Sequence, residues 1–579
     1  MKQFLILTAL LSLALVGCKS DSKQQFNHAG GTFVYAIKNE PTTFLARHVN
    51  DVYSSVVISQ SLEGLTCLDP KTLEVQPGLA KSWEYSEDGL SITFNLRDDV
   101  YFHDNDLTGA DRKFTAEDVK YSIELACKKS EGEEPSHAYA SNYEGSLVGA
   151  KEFHNGEADE ISGISIEEGK VTLQLLKKDI YFVDKMAISN MFIVLKEMVE
   201  AGRENELVGT GPFIFESYAE DDDEKLKIKF SKNTSYYLKD DEGNALPYLD
   251  ALTIIVEENG LKQLEMFEKG VTHMIDGLPP SKITNMLEGK MEDFNATPPK
   301  LVLRRKPLLG TQYYYFNLTK ELFQDIRVRK AINYAIDKED IVRNVLNNQA
   351  YGIGDAGIVP PAVFNGYNAN EIREVSYTFD LEKARSLLAE AGYPNGEGFP
   401  TIELKFNLGN INSAVADRFA KQMRKHLNIN VNLEGMTFDR LIHDQAMAKG
   451  DIFRMAWYAD FFSPENFLNV VYGKTVPESL DLPSLVNHSR FVNEDFDKAF
   501  EAGQEASDIT ERYKHFEKAE KILMQEAPLM ILWYEETIKV AYSKVRNLEF
   551  NEMNLYSFVN VYIQEWTEEE YLESLKEKK

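Results

Sequence analysis

Ile402-Glu403-Leu404-Lys405-Phe406 alternates apolar and polar residues, and so does Ile429-Asn430-Val431-Asn432-Leu433. Between them Val415, Phe419, Met423 and Leu427 recur at the spacing of one helix face. A period of two in the flanks and of about 3.6 in the middle predicts strand, helix, strand with short links. Strands joined through a helix run parallel, since antiparallel neighbours are joined by a tight hairpin instead. The stretch therefore predicts a parallel α/β sheet.

Outward from this unit, other strand-like runs are Thr32–Ile37, Ser91–Leu96, Leu226–Phe230 and Leu252–Val256. Helices with readable ends lie between them. Thr115 precedes Ala116-Glu117-Asp118, an acid variant of the capping box, with Val119, Ile123 and Ala126 on one face. Asp380 opens Leu381–Ala391, and Gly392 closes it as a left-handed cap. The charge-rich end, 567–579, predicts an exposed, frayed helix.

The chain has 579 residues, 43% hydrophobic and 27% charged, enough for several domains that each bury a core. Lys and Arg number 63 against 93 Asp and Glu, a formal net charge of −30, and that field repels a phosphate backbone. Nucleic acid is therefore not expected as a partner. Cys18, Cys67 and Cys127 are too few for a disulfide scaffold or a cysteine-rich zinc site.

Lys2 is followed by an apolar run, Phe4 to Gly17, shorter than a membrane span but right for a secretory signal at 1–17. Leu15-Val16-Gly17-Cys18 resembles the bacterial lipobox, which implies acylation of Cys18. Residues 18–29 then form a polar, lipidated leash. The expected location is the periplasm or the cell surface of a bacterium, anchored to a membrane by lipid. Whether Cys67 and Cys127 pair is open at this level.

Catalytic motifs are notable by absence: the sequence holds no H-E-x-x-H, G-x-S-x-G, Walker A or C-x-x-C pattern. Gly352-Ile353-Gly354-Asp355-Ala356-Gly357 fits G-x-G-x-x-G, but a helical stretch precedes it and Pro360-Pro361 follows, the wrong context for a dinucleotide. His103-Asp104 and His443-Asp444 lack metal-ligand spacing to a second histidine. No enzyme, cofactor or metal is expected.

One ordered series is specific. Leu79-Ala80-Lys81-Ser82-Trp83-Glu84, Asp88-Gly89, Thr93–Arg97, Phe102-His103-Asp104 and Phe114–Val119 come first. Gly209-Thr210-Gly211-Pro212-Phe213, Leu246–Asp250, Asp325–Asp337, Leu387–Tyr393 and Trp457-Tyr458-Ala459-Asp460 follow. From about Thr32 to Trp566 the chain resembles the family 5 extracellular solute-binding proteins, the oligopeptide- and dipeptide-binding components of ABC importers. The loop Asp104–Lys113 is longer than the turn usual there.

The resemblance implies the type II periplasmic-binding-protein fold: two hinged α/β lobes plus an extra domain inserted in the first. Lobe I would comprise 30–62, 213–308 and 529–566, the inserted domain 63–212, and lobe II 309–528. The crossovers would lie near Pro307–Gly310 and Glu526–Pro528. The implied protein is a monomer that captures short peptides and delivers them to ABC permease subunits.

A receptor for many peptides must bind what all peptides share, namely the backbone and two charged ends. An unpaired charge in a closed cleft is costly, so each end needs a fixed counter-charge. By resemblance Asp460, at the end of the strand-like Ile452–Tyr458 with Trp457, Tyr458 and Ala459 beside it, holds the peptide ammonium. Arg454 matches a position that takes the carboxylate in a bidentate grip; its alternative is an interlobe salt bridge. Tyr139, Phe438, Tyr314 and Tyr315 match aromatic positions lining the cleft, with core packing as the alternative for each. Alternation lets only one of Tyr314 and Tyr315 face a ligand. Asn50 and Val52 fall where the first lobe offers backbone. Other ligands carried by this family are nickel complexes, haem, glutathione and oligosaccharides, and an envelope hydrolase or docking protein stands further off.

Overall fold

The structure, a computed structural model, describes residues 30–577 except 130–133, 222–224, 280–281, 362–363, 365, 507 and 554. The leader, Cys18 and the leash lie outside the described residues. Among those described, no helix is long and apolar enough to cross a membrane, and Cys67 and Cys127 are both free thiols.

Strand β1 (Thr32–Ile37) buries Phe33, Tyr35 and Ile37 on one side, as its alternation requires. Helix α1 (Val52–Ile58) follows, capped by Asp51, whose carboxylate accepts the N–H groups of Tyr53 and Ser54 at 2.9 Å each. The inserted unit then forms its own antiparallel sheet from β2 (Ala80–Tyr85), β3 (Ser91–Leu96), β4 (Ile164–Glu167) and β5 (Lys170–Gln174), in the order β2-β3-β5-β4. Helix α2 (Ala116–Cys127) packs Val119 and Ile123 with Phe94, Val171 and Phe182 in a separate core. Its start has the expected geometry, with the Thr115 N–H donating to Asp118 at 2.8 Å.

The chain returns to lobe I as β6 (Phe213–Glu220), β7 (Leu226–Lys232) and β8 (Ala251–Val256). That sheet runs β1-β8-β7-β6, with β1 and β8 parallel. After β9 (Met274–Asp276) comes β10 (Leu301–Phe316), 16 residues long. Lobe II contributes β11 (Ile402–Asn407), α3 (Asn410–Leu427), β12 (Val431–Met436), α4 (Phe438–Ala446) and β13 (Ile452–Tyr458). Helices α5 (Pro464–Leu468), α6 (Glu494–Glu505) and α7 (Ile509–Glu526) precede β14 (Leu529–Tyr542), 14 residues long.

β11 pairs parallel with both β12 and β13, so the strand–helix–strand reading holds at the level of register. The main sheet is ordered β9-β14-β10-β13-β11-β12 and carries cores on both faces in lobe II. Tyr313, Tyr315 and Phe453 enter one core; Tyr314, Phe316 and Phe419 enter the other. The Gly352–Ile353 strand edges β14, and Gly354 is needed because a Cβ there would lie 2.5 Å from the Ile531 carbonyl carbon. The glycine-rich motif is thus a packing device.

β10 and β14 pair through both lobes. Leu301 packs with Ile538 and Val540 on the lobe I side, whereas Tyr313 and Tyr315 pack with Leu529, Ile531 and Tyr534 in lobe II. The ladder slips where Pro307 faces Glu536 and Thr311 faces Tyr534, so Leu308, Leu309 and Gly310 oppose Glu535 alone. Proline cannot donate to a ladder, and a bulge bends it, which makes this the crossing point. The second crossover is expected at Glu526–Pro528, with 529–566 in lobe I; in the structure Leu529, Ile531 and Tyr534 pack into the lobe II core. A strand paired along its length can leave a lobe only where its partner does. The C-terminal segment is helical from Glu568 to Glu577 and is not merely frayed, since Tyr571 packs edge-on against Trp566 at 5.6 Å.

Phe419 is fully buried and meets Tyr314 edge-on at 5.4 Å. Phe419→Ala should cost lobe II about 3–5 kcal/mol. Differential scanning calorimetry is expected to show an earlier lobe II transition with the lobe I transition in place.

Candidate functional site

Along β13, Phe453, Met455 and Trp457 face one side of the sheet; Arg454, Ala456 and Tyr458 face the other. Tyr458 stands opposite Gly310 at the crossover, where a Cβ would meet its ring at 2.7 Å, so the glycine makes room for the phenol. The Ala459 N–H donates to the Leu309 carbonyl at 2.9 Å, the last rung before the chain turns away. Ser463 then caps α5, with Pro464 in its first turn. Asn466, buried on α5, pins the turn: its Oδ1 accepts the Trp457 Nε1–H at 2.7 Å and the Asp460 N–H at 3.2 Å.

Asp460 keeps an exposed face at the end of β13, while the protein around it displaces part of its hydration. Loss of bulk water, only partly offset by a hydrogen bond from Asn466, pushes its carboxyl up to about 6. On the same strand Arg454 donates from Nη2 to Gln312 Oε1 at 2.6 Å and from Nη1 to Asn407 Oδ1 at 3.2 Å, while its Nε has no partner. Neutral amides hold this cation. Among the described residues neither Asp460 nor Arg454 forms an ion pair, so the interlobe salt bridge considered for Arg454 does not form.

The other wall comes from lobe I and the crossover. Tyr53 on α1 meets Phe438 on α4 edge-on at 6.2 Å, a contact across the two lobes. The Tyr53 phenol is pushed up to about 12, mainly by enclosure. Tyr458 lies in the fields of Glu535, Arg454 and Asp276. Glu535 accepts the Trp533 Nε1–H at 3.0 Å; burial raises its carboxyl, opposed by Gln312, Lys38 and Arg454. Asp276 is satisfied by Tyr556 at 2.6 Å and Lys539 at 3.5 Å.

A cavity of about 380 Å³ is lined by His48 and Asn50 of lobe I, Pro135 and His137 of the inserted unit, and Leu485 of lobe II. Burial, with help from His48, pushes His137 down to about 4; burial with His137 and Arg490 does the same to His488. The His137 Nδ1 is enclosed without a hydrogen-bond partner.

The structure thus brings Arg454, Tyr458 and Phe438 near Tyr53, places Asp460 just past the end of the same strand, sets Asn50 in the 380 Å³ cavity and leaves Val52 exposed at the start of α1. It moves others away. Tyr139 lies in the inserted unit's core, stacked on His154 at 4.0 Å, and His137 lines the cavity instead. Tyr314 and Tyr315 are both buried, because helices cover both faces of their sheet and alternation sends each into a core. Trp457 and Ala459 act on the fold: the indole fixes Asn466, and the Ala459 methyl is buried. Tyr53, His137, His488, Gln312 and Glu535 have no sequence signal of their own; Gln312 follows the Gly310 crossover by two residues, a hint available only once the crossover is known.

A family model described as "Bacterial extracellular solute-binding proteins, family 5 Middle" matches residues 74–478. Heme-binding protein A of Haemophilus influenzae is 28% identical over 544 residues, covering 90% of this chain and 91% of that protein. Oligopeptide-binding protein OppA of Bacillus subtilis is 25% identical over 557 residues, covering 93% and 95%. The periplasmic binding protein DppA from Helicobacter pylori, solved in complex with the peptide STSA, superposes with a TM-score of 0.80 at 24% identity, covering 93% of this chain and 99% of that one.

In the unliganded protein the Asp460 carboxyl should titrate near 6, above ordinary aspartates, in carbon-13 NMR of aspartate-labelled material. Asn466→Ala removes the hydrogen bond that lowers it and should move the midpoint higher.

Proposed function

Since the chain belongs to the family 5 bacterial extracellular solute-binding proteins, we propose that it captures short peptides between its lobes and hands them to an ABC permease. One observation supports this reading: the strand that carries Arg454 ends at the carboxylate of Asp460, and neither charge is ion-paired within the described residues. A zwitterionic peptide supplies both missing partners, its ammonium to Asp460 and its carboxylate to Arg454. Tyr458, Phe438, Asn50 and Val52 complete the lining. Arg454 is prepared for a carboxylate, since its Nε is free and its amide partners add no negative charge. The names of the Bacillus and Helicobacter relatives support peptides as the class.

No step of this function is a reaction. Closure of one lobe on the other buries the ligand and creates the shape that a permease can read. Acylation of Cys18 would keep the receptor at the membrane.

A second reading, a non-peptide ligand such as haem, draws on the neutral imidazoles of His137 and His488 beside the 380 Å³ cavity and on the Haemophilus relative's name. Haem titration discriminates: a shifted Soret band with peptides failing to compete would favour it.

Asp460→Ala should weaken peptide binding by about 2–5 kcal/mol, roughly 30- to 4,000-fold in Kd. Calorimetry with peptides identified by native mass spectrometry of the purified protein measures it; unchanged affinity removes Asp460 from the site.

Affinity should also depend on pH. The free carboxyl is protonated below about 6 and the bound one is held ionised by the ammonium, so binding releases a proton in that range. Affinity is then full above about 6 and falls about tenfold per pH unit below it. Asp460→Asn should flatten the profile.

A further inference from the structure

The inserted unit touches the segment that carries Asp460. Lys185, the last residue of the short helix Phe182–Lys185, donates to Asp179 of its own unit at 2.7 Å and approaches Glu465 of lobe II at 3.4 Å. Glu465 also accepts from Gln504 of α6 at 2.8 Å, and the other end of that amide accepts from Lys177 of the inserted unit at 2.7 Å. Tyr181 of the same loop meets Phe461 at 5.7 Å and lies under the Arg512 guanidinium of α7 at 4.7 Å. Asp179, Lys185 and Glu465 are 6%, 7% and 3% exposed, so this is a dry contact and not a surface ion pair. Burial works against the Lys185 charge, but Asp179 and Glu465 outweigh it and hold the ammonium above the ordinary lysine range.

The inserted unit is tied to lobe I and not covalently to lobe II. It leaves and re-enters lobe I at 62/63 and 212/213, and Glu63 at that junction accepts from Thr210, Tyr236 and Tyr237. Arg47 grips Glu204 with two bonds of 2.6 and 2.7 Å, and Val194 and Leu207 enter the lobe I core. When the lobes part, the contacts of the 177–185 loop with 461–512 break together with that between Tyr53 and Phe438. Lys185 would keep Asp179 and Glu465 would keep Gln504, so neither charge is stranded on opening. Such a contact can form and release reversibly.

We propose that Lys185 and Glu465 form a latch between the inserted unit and lobe II, which makes them positioning residues that hold the cleft closed and the Asp460 turn in place. Neither belongs to the lining of the cleft. Retention of a peptide rests on the function proposed above; the latch itself does not. A contact present in the closed form alone shifts the open–closed balance by its own free energy, and ligand affinity shifts with it.

The test uses the full mature protein. Small-angle scattering of the unliganded Glu465→Gln variant, which leaves the Lys185–Asp179 pair intact, should give a larger radius of gyration than wild type. Its Kd for trialanine by calorimetry should rise at least tenfold, and Lys185→Arg should restore wild-type scattering that Lys185→Met loses. An unchanged radius for both Glu465→Gln and Lys185→Met overturns the latch, whatever trialanine does. Altered scattering together with no trialanine binding by wild type leaves the latch standing and counts against peptides. If Glu465→Gln does not fold, Lys177→Ala, which removes only the half-buried bond to Gln504, decides in its place by a smaller shift of the same sign.

Discussion

The antiparallel pairing of β10 with β14 sets the terms for everything else in this protein. Both strands are long enough to serve two lobes, and their hydrogen bonds continue from one core to the next. Where Leu308–Gly310 bulge against Glu535 the ladder loses its regular pitch, and two rigid bodies are left joined by a few bendable residues. The same bulge removes side-chain bulk at Gly310, which lets Tyr458 lie across the crossing point and brings Gln312 and Arg454 to the rim. Hinge and candidate site are one piece of structure because the irregularity that permits bending also opens space.

Partial loss of hydration explains the electrostatics of that space. The protein around Asp460 and Glu535 displaces part of their hydration, and both carboxyls rise. Arg454 is tied to amides and not to an acid. A fold that needed these charges for stability would pair them, as it pairs Asp276 with Lys539 and Asp179 with Lys185. Leaving them unpaired in a cleft costs free energy that a ligand of opposite charges returns on binding. The dry contact between the inserted unit and lobe II falls on the same short segment, Asp460–Asn466, as the raised carboxyl.

Much of the fold was legible in the chain. Alternation at Ile402–Phe406 and helical spacing through Leu427 predict the parallel unit that the register bears out, and the ordered motifs point to the family. The long pairing of β14 with β10 shows the limit, because pairing between residues far apart in sequence leaves no local mark. For Tyr314, Tyr315 and Tyr139 the sequence leaves core and cleft both open for a related reason: an aromatic residue reads the same whether its ring enters one or the other.

The sequence by itself determined element types, the order of the segments, the absence of familiar catalytic motifs and the strand end at which Asp460 sits, because these follow from local periodicity, capping and composition. Only the tertiary structure decided which side chains meet: Tyr53 with Phe438, Arg454 with Gln312, Lys185 with Glu465. Those pairs come from segments far apart in the chain, and the free energy of a charge or a ring depends on what surrounds it in space, which no single stretch of residues encodes.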